Sequence, residues 1–133
     1  MKTIEFTYGP VRLNLYMNGS AMFAIQALDG EAAEDKPDAI ERMKENTADG
    51  FNLVCKIAHI LATQGELCRR YLQYTPRRVP EAGELLLLLS PVQIARLRLV
   101  LFQTINEGYA NNEAQDGGDI DTGLAELEKK TKP

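Results

Sequence analysis

With one histidine, two cysteines and no glycine-rich phosphate loop, this sequence lacks most of the parts from which catalytic and cofactor sites are built. The single histidine, His59, shares the polar side of a predicted helix with Lys56 and Thr63 and has no carboxylate one turn away to orient its ring. It reads as a surface or groove residue. Cys55 and Cys68 fall on that same helix, roughly 20 Å apart at ~1.5 Å per residue, which is beyond disulfide reach. Neither belongs to a close-spaced metal-ligand pair, so both are expected as reduced, buried thiols. Gly9, Gly19, Gly30, Gly50 and Gly65 are isolated, and no lysine follows Gly117-Gly118, so nucleotide binding is unsupported. Glu31, Glu34, Asp35 and Asp38 lack the alternating oxygen ligands and glycine of a calcium loop and read as a solvated acidic segment. The expectation is a protein that is not an enzyme and has no cofactor and no metal.

Signals for export and membrane insertion are missing too. Residues 1–16 mix Lys2, Glu5, Arg12 and Asn14 among apolar positions, and the pure apolar run Leu85 to Leu89 is far short of the ~20 residues that span a bilayer. A soluble cytoplasmic protein is expected. Among 133 residues, 44% are apolar and 26% charged, with a formal net charge of −4, which suits one ordinary core and gives no general attraction to nucleic acid or anionic lipid. Residues 1–110 hold 12 basic and 13 acidic side chains, and residues 111–133 hold 3 and 6. The expected organisation is one globular domain over 1–110 and a disordered acidic tail over 111–133.

What is present points to a mainly α fold with a small N-terminal β-hairpin, an α+β arrangement. Ile4, Phe6, Tyr8 and then Val11, Leu13, Leu15 alternate with polar residues around the turn pair Gly9-Pro10. After Asn18-Gly19, Ser20 is the expected cap of a short helix to Leu28, buried nearly all round because only Gln26 is polar. Pro37 suits the first position of a second short helix reaching about Asn46. A long central helix is predicted over 48–74. Phe51, Val54, Cys55, Ala58, Leu61, Ala62, Gly65, Cys68 and Leu72 follow one of its faces, and Asn52, Lys56, His59, Thr63, Glu66, Arg70 and Gln73 form a polar seam facing solvent or a groove. Thr75 to Pro80 is a break, and the five leucines that follow suit either a buried helix or a strand. Ser90, Pro91 and Gln93 form a capping box that starts a last helix, with Ile94, Leu97, Leu101 and Ile105 inward and Gly108 weakening its end near Tyr109.

The basic residues Arg69, Arg70, Arg77, Arg78, Arg96 and Arg98 are opposed locally only by Glu81 and Glu84. Gathered by the fold, they would form either a phosphate footprint for nucleic acid or, as favoured here, a charged rim on a protein-binding face with salt bridges to the acidic loops.

The order of hairpin (IEFTYGPVRLNLYM), buried helix after an NGS turn (NGSAMFAIQAL), long central helix, capped last helix (SPVQIARLRLVLFQTINEG) and acidic tail resembles the small tail assembly chaperones of long-tailed bacteriophages and prophages, especially those of Gram-positive hosts. The resemblance implies a non-enzymatic chaperone that binds the tape-measure protein and tail-tube protein during tail morphogenesis, with no catalytic residues to place. Many members of that family have a more basic body. The other reading is a small regulatory or nucleic-acid-associated protein that uses the arginine cluster. Self-association into a homo-oligomer stays open.

Overall fold

Alternating apolar residues on either side of Gly9-Pro10 form an antiparallel hairpin, β1 (Ile4–Tyr8) and β2 (Val11–Leu15), paired from Ile4↔Leu15 to Tyr8↔Val11. Gly9 takes a φ of 56°, the left-handed conformation that glycine adopts without a Cβ penalty. The computed structural model describes residues 3–29 and 38–116, with side chains through residue 110. Mostly helical otherwise, the described chain adds α1 (Gly19–Ala27), α2 (Ala39–Arg42), α3 (Ala48–Tyr71), α4 (Ala82–Leu88) and α5 (Pro91–Asp116). The hairpin's inner face is carried by β2, whose Val11, Leu13 and Leu15 are buried, whereas β1 buries only Phe6.

Around α3 the other elements assemble, with β2, α1, α2, α4 and α5 all packed on it. Leu53, Val54, Cys55, Ile57, Ala58, Leu61 and Ala62 are buried along its length, the wide apolar arc that the spacing predicts. Gly65 lets β2 cross the helix at backbone distance, because a Cβ there would meet the Asn14 carbonyl oxygen at 1.8 Å. One residue past β2, the Tyr16 N–H donates to the Leu61 carbonyl at 3.1 Å. Ile94, Leu97, Leu101 and Ile105 of α5 close the core as expected, with the buried Thr104 hydroxyl donating to the Val100 carbonyl.

Several boundaries differ from the sequence reading. Asn18, not Ser20, caps α1, its side chain accepting from the Ala21 N–H at 2.9 Å. That helix is not buried all round. It buries Ala21 and Ile25 and leaves Phe23 66% exposed, since a short helix laid on α3 hides one face only. Asp38 caps α2, which stops at Arg42, short of Asn46, and Pro37 lies outside the described residues. The leucine run is a helix, opened by a capping box between Glu81 and Glu84. Gly108 does not end α5. A Cβ there would meet the Met17 side chain at 2.6 Å, so this glycine admits a neighbour, and the helix continues to Asp116, past the expected domain boundary at Ala110. The tail beyond Asp116 and the acidic residues Glu31, Glu34 and Asp35 lie outside the described residues.

Candidate functional site

At its C-terminal end α3 stops three residues before the predicted Tyr74. The Gln73 N–H donates to the Arg70 carbonyl and the Tyr74 N–H to the Arg69 carbonyl, at 3.0 and 2.9 Å, the paired bonds of a Schellman motif. Gln73 supplies the left-handed residue with a φ of 70°, a place usually held by glycine. The reversal sends residues 74–80 back along α3 as a strap. Two residues of the polar seam, two helical turns apart, fasten it. The Arg77 N–H donates to Glu66 Oε2 at 2.6 Å, and His59 Nδ1 lies 2.8 Å from the Pro80 carbonyl oxygen, which makes Nδ1 the N–H donor of that bond. Here the seam departs from expectation. Glu66 is only 5% exposed, and the groove at this level is filled by the chain's own strap.

A buried carboxylate requires hydrogen-bond donors, and Glu66 has three. Arg69 Nη1 donates to Oε1 at 2.7 Å and Arg70 Nε to Oε2 at 2.9 Å, beside the Arg77 N–H. Burial pushes the Glu66 carboxyl up, but the Arg77 N–H and the Arg69 and Arg70 guanidiniums outweigh it and hold the group below its ordinary range. Arg70 also donates from Nη2 to the Arg77 carbonyl at 3.1 Å, so both backbone polar groups of Arg77 are held.

The six arginines of the sequence reading do not form one patch. Arg69, Arg70 and Arg77 gather around Glu66, a counter-charge one helical turn before Arg69 and Arg70 that the sequence reading left out. Arg78 pairs with Glu84, whose carboxyl the Arg78 guanidinium holds below its ordinary range. Arg98 instead reaches the turn after α2, donating to the Met43 and Lys44 carbonyls at 3.5 and 3.2 Å. Arg96 is exposed on α5 without an ion-pair partner among the described residues. Among the described residues none of the six forms the expected bridge to the acidic loops; Asp29 instead lies 3.6 Å from Arg42, which is also 3.4 Å from Asp49 in the first turn of α3.

One arginine joins the group from a different element. Arg12 of β2 lines a cleft of about 320 Å³ with Asn14, Arg69, Leu72, Tyr74 and Arg77. It escapes notice in the sequence because it is an outward position of a strand, more than fifty residues from its neighbours in the fold. Arg69 is held beneath by Glu66 and lies 5.7 Å from the centre of the Tyr74 ring.

Large apolar side chains stand exposed on both sides of the strap in sequence. Leu67, Tyr71, Leu72 and Tyr74 are 51–79% exposed around the end of α3, and Leu86, Leu87, Leu88 and Val92 are 40–82% exposed from α4 into α5. Of the leucine run only Leu85 and Leu89, one turn apart, are buried. Tyr8 is the one large apolar residue of the hairpin that stands exposed, so the surplus apolar surface lies away from it.

Cys55 is a core thiol, pushed up to about 11 by burial, whereas Cys68 is only half-buried and borders the cleft. Among the described residues no three His, Cys, Asp or Glu side chains group to hold a metal, and no helix is long and apolar enough to cross a membrane. Comparison of the chain with family models, curated sequences and solved structures finds no match.

Proposed function

We propose that the protein binds apolar segments of another polypeptide, acting as a non-enzymatic tail assembly chaperone of the kind its element order resembles, with a tape-measure or tail-tube protein as partner. The observation that carries this reading is the clustering of exposed Leu and Tyr side chains on residues 67–74 and 86–92. Single exposed leucines are ordinary on a soluble protein. Eight large apolar residues within two short stretches, with Arg70, Arg77 and Arg78 exposed between them in sequence, have the composition of a polypeptide-binding face.

The arginine-cluster alternative draws less support. A phosphate footprint needs several uncommitted cations on one surface. Here Arg69 and Arg70 are spent on Glu66, Arg78 on Glu84 and Arg98 on backbone carbonyls. Co-expression of the chain with a phage tape-measure protein tests the proposal through the soluble fraction of that partner. A rise in solubility and a complex on size-exclusion chromatography are expected. Unchanged solubility and no complex would overturn the reading.

A further inference from the structure

Three separate elements bring arginines to the lining of the cleft at the end of α3, which Glu5 also lines: Arg12 from β2, Arg69 from α3 and Arg77 from the strap. Their neighbourhood carries a surplus of positive charge. Arg12, Arg69, Arg70 and Arg77 face two carboxylates, Glu5 and Glu66, and the Glu5 contact to Arg12 is a long 3.5 Å one between half-exposed side chains. The backbone that carries Arg77 is fixed before any ligand arrives. Arg77 is clamped through its N–H by Glu66 and through its carbonyl by Arg70, while its guanidinium has no acidic partner among the described residues. Arg69 is 12% exposed and pinned by Glu66. With Arg69 committed to Glu66, Arg12 and Arg77 are the forks left for a ligand, and a guanidinium fork is the chemistry that matches a carboxylate.

The rim chooses what carries that carboxylate. Leu72 and Tyr74, 54% and 60% exposed, line the same cleft, so an anionic group that enters brings its neighbours against apolar side chains. We infer that the cleft receives a glutamate or aspartate side chain presented within an apolar polypeptide segment. This rests on the polypeptide-binding reading above and specifies the partner's chemistry: a carboxylate for Arg12 and Arg77, flanked by leucine-like or aromatic residues for Leu72 and Tyr74. A free oxyanion would use the cationic floor and gain nothing from the rim.

The test is an NMR titration of the full-length 15N-labelled chain with the capped tripeptide N-acetyl-Leu-Glu-Leu-amide, its Leu-Gln-Leu counterpart, and inorganic phosphate. The glutamate peptide is expected to shift the amides of Arg12, Gly65 and Arg77 saturably, and the glutamine peptide to bind at least about tenfold more weakly, as the loss of a charge-assisted pair requires. Arg12→Gln and Arg77→Gln should each lose that preference with unchanged circular dichroism, and Arg96→Gln should keep it. Equal response to both peptides, absence of saturable shifts, or phosphate binding as tight as the glutamate peptide would overturn the assignment. Co-expression separates this inference from its premise. If the doubly substituted Arg12→Gln/Arg77→Gln chain solubilises the tape-measure protein as well as the parent, the cleft assignment fails and the polypeptide-binding reading stands. If the parent chain itself has no effect, that reading fails.

Discussion

The backbone N–H of Arg77 donates to the carboxylate of Glu66 at 2.6 Å, across eleven residues of sequence and a reversal of chain direction. This bond, shared with Arg69 and Arg70 on the same carboxylate, holds the 74–80 strap on α3. Because the folded Glu66 carboxyl lies below its ordinary range, its contribution to stability is fully present above the unfolded value of about 4.3 and is lost as the pH falls through the folded value. Glu66→Gln is expected to cost about 2–3 kcal/mol at pH 7, as the loss of a buried, paired charge does. The gap between parent and variant in urea melts should close as the pH drops below about 4. A gap independent of pH would contradict the role given to the carboxylate.

Glycines in helices of this chain have opposite expected responses to alanine. At Gly65 the new Cβ meets the Asn14 backbone at 1.8 Å, so β2 must lift from α3, and a loss of about 3 kcal/mol is expected despite the better helix propensity of alanine. Gly83, in the first turn of α4, has open space around it, and Gly83→Ala should gain roughly 0.5 kcal/mol. Chemical denaturation of the two variants measures both signs. Equal effects would mean that β2 and α3 are not in backbone contact.

Gln73 holds a left-handed conformation without being glycine. Gln73→Gly should therefore stabilise the chain by about 0.5–1 kcal/mol, since removing the Cβ relieves more strain than the added unfolded-state freedom costs. Thermal melts check this, and a destabilised variant would show that the Gln73 side chain holds the turn by contacts of its own.

Periodicity carried much of this fold. Ile94, Leu97, Leu101 and Ile105 are spaced for one helical face and are buried as spaced, and the alternation of Val11, Leu13 and Leu15 is the packed face of β2. What escaped was set by tertiary contact. The pairing of Glu66 with Arg69 and Arg70 is legible in their i,i+3 and i,i+4 spacing, but its burial is not, because it depends on Gln73 reversing the chain to bring Arg77 onto it, and a glutamine gives no sign that it will turn left-handed. Gly65 and Gly108 read as isolated or terminating residues because the backbone of Asn14 and the side chain of Met17 arrive from distant sequence. The helical state of Leu85 to Leu88 did have a local signal, Glu81 and Glu84 spaced as a capping box after Pro80, which the leucine run itself obscures. Arg12 belongs to the cleft only through the hairpin's placement on α3.

The most direct test of polypeptide binding uses the exposed apolar surface itself. Tyr71 and Leu87 are 79% and 82% exposed, so Tyr71→Ser/Leu87→Ser should leave folding stability within about 0.5 kcal/mol. The measurement is the soluble fraction of the proposed partner, a tape-measure protein, co-expressed with parent or doubly substituted chain. The account predicts that the substituted chain, folded and equally abundant, fails to raise solubility above the level seen without it. Solubility as high as with the parent chain would contradict it.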